Sequence, residues 1–300
     1  MNRRAFLKTT TMSAAALMAG RFSWAAAERR VGKIGVQLYT VRDAMAQDFD
    51  GTLAKVAAIG YKYVELAGFT MDQGKILYFN QTPEAMRAGL DRHHLYAPST
   101  HVSYKSLEPD NFAKVIDASK VIGHEYIVNP WIDEDVRKQP DGWKQAVATF
   151  NRAGEACKKA GMQFAYHNHW FEFLPVNGKL PYDFLLKECD PDLVKMEMDL
   201  CWIVVGGQDP VKYFERYPGR FPMVHVKDVL KLPKITKGGS QNFGDTVDLA
   251  AVGKGVIDWK RIFSHAGKAG IKYYIVEHDK PKAPFESITD SYAYLEQLRF

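Results

Sequence analysis

A (β/α)8 barrel is the fold class this 300-residue sequence predicts, and three observations predict it. Strand-like and helix-like segments alternate eight times between Gly32 and the C-terminus, the count and size that one such barrel needs. The first strand is followed by Leu38-Tyr39-Thr40-Val41, not by the glycine-rich phosphate turn of a doubly wound open sheet. The residues that carry chemistry gather at one point of the pattern, the C-terminal ends of the strands.

The elements follow in order. Residues 33–39 (KIGVQLY) form the first strand, 50–59 a short helix stopped by Gly60, and 61–66 (YKYVEL) the second strand. Thr82-Pro83-Glu84 is an N-cap with proline at the first helical position, opening a helix to about residue 93. The third strand, 95–101, leads to a helix over 109–122 stopped by Gly123. The fourth, 125–129, leads to a long amphipathic helix over 143–160. The fifth strand, 163–167, follows Gly161 and is apolar enough to be a buried parallel strand, with a helix over 181–188 behind it. The sixth strand, 194–200, precedes Asp209-Pro210, which caps a helix to about residue 217. The seventh, 223–226, enters a long loop, and a helix over 258–269 stops at Gly270. The eighth strand, 272–277, and a last helix over 285–298 complete the set.

The strand ends are where the pattern turns polar. The second strand brings Glu65, the third His101, the fourth Asn129 and Trp131. The fifth brings His167, Asn168, His169 and Trp170, and the sixth Glu197, Asp199 and Trp202. The seventh brings His225, Lys227 and Asp228, and the eighth Glu277, His278 and Asp279. Five of the nine histidines fall on this rim. Any one of them alone reads as a hydrogen-bonded core residue, since buried polar groups must find partners or cost free energy. A ring drawn from seven strands reads as a site.

Asp, Glu and His without cysteine suit one divalent ion such as Mn²⁺, Mg²⁺, Co²⁺, Ni²⁺ or Zn²⁺. His167, Asp199, His225 and Glu277 come from four adjacent strands roughly 5 Å apart, so they can converge on one ion. Glu277, His101, His169 and Lys227 are the candidates for moving a proton. Glu65, Asn129, Trp131, Trp170 and Trp202 are the candidates for holding substrate, aromatic faces beside polar side chains being suited to sugar rings.

Composition excludes other classes. The chain is 46% hydrophobic and 25% charged, ordinary for a globular protein. Residues 1–27 have the layout of an export signal: Arg3-Arg4 with Phe6-Leu7-Lys8, a mildly apolar stretch, and Ala25-Ala26-Ala27. The paired arginines resemble a twin-arginine signal, which predicts periplasmic export and a mature domain over 28–300. Removing the four Lys/Arg of residues 1–27 takes the net charge from +5 to +1, so no basic excess points to nucleic acid. The segment is too short and too weakly apolar for a stable membrane span. Cys157, Cys189 and Cys201 have no metal-type spacing and read as unpaired.

With these residues assembled, the chain resembles the xylose-isomerase-like superfamily of TIM-barrel sugar isomerases and epimerases. The resemblance runs from Ile34 to the C-terminus. It is carried by Tyr166-His167-Asn168-His169 with Glu172-Phe173, by Met198-Asp199-Leu200-Cys201-Trp202 ahead of Gly207-Gln208-Asp209-Pro210, and by His225-Val226-Lys227-Asp228. Gly253-Lys254-Gly255-Val256-Ile257-Asp258-Trp259 and Ile275-Val276-Glu277 complete it. It implies one divalent ion held on strands five to eight and proton shuttling on ketose or aldose substrates. His167 stands where many members place a second catalytic glutamate, and Trp202 where many have a histidine. No phosphate cradle is visible, so a small neutral sugar or glycoside is the expected partner, with a homo-oligomer open. Isomerisation or epimerisation of a keto-sugar ranks first. A lyase cleaving 3-keto-glycosides by β-elimination, for which one base on one face suffices, ranks second, and a non-catalytic sugar-binding protein third. A metal-dependent nuclease on the same barrel would need a basic groove that the charge does not supply.

Overall fold

A computed structural model of the chain describes residues 28–72, 74–233 and 243–300. Its central strands are β1 (Lys33–Gln37), β2 (Tyr63–Leu66), β3 (Tyr96–His101), β4 (Tyr126–Asn129), β5 (Gln163–His167), β6 (Val194–Asp199), β7 (Met223–Val226) and β8 (Tyr273–Val276). They close into one parallel barrel in the ring order β1-β8-β7-β6-β5-β4-β3-β2, the predicted architecture. The ring closes where Lys33 of β1 pairs with Tyr273 of β8 and Val36 with Val276. The expected export signal, residues 1–27, lies outside the described residues.

Alternation along each strand divides the apolar side chains between two layers. Tyr126, Val128, Ala165, Met223, Tyr273 and Ile275 form a small cluster inside the barrel. Their neighbours Ile127, Phe164, Tyr166, Val224 and Val276 belong to the larger layer under the helices. Each large side chain so buried contributes about 1.5–3 kcal/mol. At the N-terminal mouth, the Tyr96 and Tyr273 hydroxyls donate to Glu125 Oε1 at 3.0 and 2.8 Å. Tyrosines thus close that end, and the opposite end is left for chemistry.

Helix ends follow the sequence signals. Thr82 Oγ1 accepts from the Ala85 N–H at 3.2 Å, and the helix Pro109–Ile122 ends on Gly123 at φ +90°, a left-handed cap that a side chain would resist. Some boundaries differ from expectation. β1 stops at Gln37 because that side chain accepts the Tyr39 N–H at 3.1 Å, starting a 3-10 turn over Leu38–Val41. The expected helix over 258–269 is two, Trp259–Phe263 and Ala266–Ala269. Between them the Ser264 hydroxyl donates to Arg261 O at 2.6 Å, using a carbonyl that a continuous helix would need. The unexpected pieces include a hairpin of Phe69–Asp72 with Lys75–Tyr78, the short helices Arg42–Gln47, Glu134–Arg137 and Leu200–Val205, and a two-stranded ladder of Asp228–Val229 with Leu249–Ala250. Cys157, Cys189 and Cys201 are free and buried. Among the described residues no helix is long and apolar enough to cross a membrane.

Candidate active site

Period-two alternation decides which strand-end residues meet. Glu197 and Asp199, two apart on β6, both turn inward, and the barrel register sets His167 beside Glu197 and Asp199 beside His225. Glu277 follows β8, its N–H bonded to Val226 O at 3.2 Å.

The deepest polar layer is a closed ring of four side-chain tips. His101 Nε2 lies 3.0 Å from Glu65 Oε2 and 2.8 Å from Glu197 Oε2, and His225 Nε2 lies 2.6 and 3.3 Å from the same two oxygens. Gln37 Nε2 donates to Glu65 Oε2 at 2.8 Å, and His167 Nδ1 stands 3.2 Å from Glu197 Oε2. Above this ring, His225 Nδ1 is 2.8 Å from Glu277 Oε2. Lys227 Nζ is 2.9 Å from the same oxygen, 3.1 Å from Asp199 Oδ2 and 2.7 Å from Asp279 Oδ1.

Four of these residues form a group suited to a metal. One ligand atom each from His167, Asp199, His225 and Glu277 falls within 4.8 Å of the others. The donors are imidazole nitrogen and carboxylate oxygen only, the chemistry of a borderline or hard divalent ion. His225 has a carboxylate, Glu65, on the nitrogen turned away from that group, the outer partner that orients metal-binding histidines. His101, His167, Glu197 and His225 also fall within 4.8 Å of one another. In that deeper layer Glu65 Oε1 and Glu197 Oε1 are buried with no hydrogen-bond partner among the described residues. The residues present therefore fit a divalent ion.

The electrostatics sort the groups by charge. Burial pushes the Glu277 carboxyl up, but Lys227 and His225 beside it outweigh that and hold it low. Burial likewise opposes charge on His101, yet Glu65 and Glu197 raise it to about 9. Burial raises Glu197 to about 7, and the Glu65 carboxylate adds to it, two like charges in one desolvated layer. His169 is the contrary case: burial and then Lys227 lower it well below the usual imidazole range, so it is neutral at pH 7.

The turn after β5 presents His169. Glu172 accepts from the His169 N–H at 2.9 Å and pairs with the Tyr166 hydroxyl. Asn168 clasps the β6 backbone, accepting from the Asp199 N–H at 3.1 Å. The His169 ring is nearly parallel to those of Phe171 and Trp202, at interplanar angles of 6° and 25°. Its Nδ1 is buried and has no hydrogen-bond partner among the described residues.

A cleft of about 960 Å³ opens above, and His101, His167, His169, Glu277 and the predicted Trp131, Trp170 and Trp202 all line it. Other predicted residues lie elsewhere. Asn129 does not line the cleft: Val128 points inward, so Asn129 points out, and its Nδ2 donates to Val102 O at 3.0 Å. Glu65 is fully buried beneath His101 and His225 and does not line the cleft. Lys227 is 1% exposed, stands among three carboxylates and does not line the cleft. Asp228 is a loop anchor, accepting the N–H groups of Gly253 at 2.9 Å and Gly255 at 3.2 Å and the Trp259 indole N–H at 3.0 Å. Glu197 was named at the rim but given no role. Its spacing of two from Asp199 was the signal that it shares the inward face.

The fold and site define a class: barrel proteins with a carboxylate–imidazole cluster at the C-terminal mouth. The chain belongs to the xylose isomerase-like TIM-barrel family, whose model matches residues 53–298. It is 25% identical over 280 residues to an inosose dehydratase of Lacticaseibacillus casei, covering 83% of this chain and 89% of that one. A sugar phosphate isomerase/epimerase from Parabacteroides distasonis superposes with a TM-score of 0.72 at 29% identity, covering 89% of this chain and 94% of that one. The IolI protein with a bound zinc atom, 17% identical with a TM-score of 0.66 over 87% of this chain and 95% of its own, shares the fold.

Proposed function

We propose that the protein is a divalent-metal-dependent lyase that removes a proton next to the ketone of a neutral keto-sugar and expels the substituent on the following carbon. The observation that carries this is an imidazole in place of a second carboxylate at the end of β5. His167, in the β5 position where a second carboxylate base would serve epimerisation, has its Nδ1 turned to Glu197. The relatives named inosose dehydratase support the same reading, since a dehydratase eliminates water.

His167, Asp199, His225 and Glu277 would hold the ion, which when bound polarises the substrate carbonyl. His169, neutral and lining the cleft, accepts the proton from carbon. The electron pair left behind forms the new double bond as the bond to the leaving oxygen breaks. His101, kept cationic by Glu65 and Glu197 and lining the cleft, gives its proton to that oxygen. Trp131, Trp170 and Trp202 wall the sugar off from water. Isomerisation or epimerisation is the second reading, favoured by the likeness to the Parabacteroides distasonis structure.

Incubation with free ketoses and 3-keto-glycosides, followed by mass spectrometry, separates the two. A product that has lost its substituent is expected, and products of unchanged mass would replace the lyase with an isomerase or epimerase. Export of residues 28–300 through the twin-arginine route belongs to the same proposal. Replacing Arg3 and Arg4 by lysine should then leave the full-length precursor in the cytoplasm, and unchanged export would count against that route.

A further inference from the structure

We propose that the outer part of the cleft is a subsite for a planar aromatic aglycone, so that the substrate is an aryl glycoside and not a free sugar. The inference rests on the keto-sugar reading and names what leaves. A sugar ring of about a dozen heavy atoms fills only a fraction of 960 Å³, since pockets of roughly 300–1,000 Å³ hold drug-sized ligands.

The lining changes character with depth. At the floor stand His101, His167, His169 and Glu277, which suit hydroxyls and a carbonyl. Farther out, apolar side chains stand among the exposed charged residues Asp133, Asp248, Lys280 and Lys282. Leu230 lines the cleft at 55% exposure and Tyr39 at 42%, large apolar surface that the fold itself does not use. Leu230 is held in place by its N–H, which donates to Asp248 O at 2.9 Å, and so stands beside Val247 and Leu249 in the same wall. The Tyr39 ring carries the Arg42 guanidinium 4.2 Å from its centroid.

Trp131 and Trp170 complete the enclosure, following β4 and β5 on the far side of the ring from β8 and β1. Their rings meet at 65° with centroids 6.1 Å apart. Trp170 is further positioned by Gly244, whose backbone approaches so closely that a Cβ there would come within 2.3 Å of the indole. Aromatic faces and an aliphatic wall around one slot suit a flat ring, which they can stack and desolvate together. Bound there, the aglycone lies next to the carbon whose substituent departs, with His101 nearby to protonate the leaving oxygen.

The test is calorimetry on the metal-loaded protein with a panel of hexoses, each as its methyl and its phenyl glycoside. The phenyl member should bind about tenfold more tightly for the accepted hexose, by the worth of one or two aromatic contacts. Leu230→Ser, a change at an exposed position outside the acid–base set, should remove most of that advantage and leave methyl glycoside binding unchanged. Equal affinity within every pair, binding of neither member of any pair, or equal weakening of both by Leu230→Ser would overturn the subsite. Solvent deuterium uptake into a keto-hexose reports separately on the lyase reading. Uptake without a phenyl preference removes the subsite alone, and a phenyl preference without uptake removes the lyase alone.

Discussion

His225 and Glu65, 160 residues apart in sequence, meet at 2.6 Å with both side chains fully buried. The contact fixes the imidazole so that its other nitrogen faces Glu277 at 2.8 Å. Such an outer carboxylate typically raises metal affinity 10–100-fold by orienting its histidine. Glu65→Gln should therefore weaken divalent-ion binding by about that factor while leaving the fold intact, as measured by competition with a chelator. The unaltered protein, purified without chelator, should carry about one ion per chain. Unchanged affinity in the variant would make Glu65 a packing residue only.

Glu277 and His169 should separate as ligand and base. Glu277→Gln removes an anionic donor from the metal group, so metal content and proton exchange should fall together. His169→Gln should keep the ion and lose exchange by about 10²–10⁴-fold, the usual worth of a positioned base. Deuterium uptake into a keto-sugar, measured alongside metal content, reads both. Full exchange in the His169 variant would move the base elsewhere.

Asp228 holds the loop after β7 to the helix Trp259–Phe263. Asn in its place would turn an NH₂ toward donors now served by Oδ2: the Gly253 and Gly255 N–H groups and the Trp259 indole. Opposed donors in a buried site cost about 1–3 kcal/mol each at full strength. Asp228→Asn should therefore destabilise the domain by about 2–4 kcal/mol in urea unfolding. A midpoint unchanged within error would show that the loop re-pairs at no cost.

His124 supplies a pH dependence remote from the site. Burial is the main cause that lowers its imidazole from 6.5 to about 4, while Nδ1 lies 2.8 Å from Ala97 O. A depressed folded value means that the stability it contributes is present above pH 6.5 and is lost as pH falls toward 4. His124→Gln should flatten the stability profile in that window when urea midpoints are compared at pH 7, 6 and 5. Parallel profiles for the two proteins would exclude the effect.

Much of this was legible in the chain. Alternating strand and helix signals, with glycine stops such as Gly123 and Gly270, implied the barrel because those signals are local. The gathering of His101, His167, Asp199, His225 and Glu277 at strand ends followed as soon as the strands were parallel. The hairpin Phe69–Asp72 with Lys75–Tyr78 was not legible, since its short strands carry too little pattern to separate from a loop.

What the sequence by itself determined is the fold and the rim on which chemistry-bearing residues stand, because periodicity and strand order suffice for both. Only the tertiary structure decided where each rim residue points and what it touches. Asn129 faces the helices, Lys227 sinks among carboxylates, and Glu65 orients His225 from across the barrel. Those outcomes depend on inward or outward phase and on contacts between residues far apart in the chain, which no local pattern encodes.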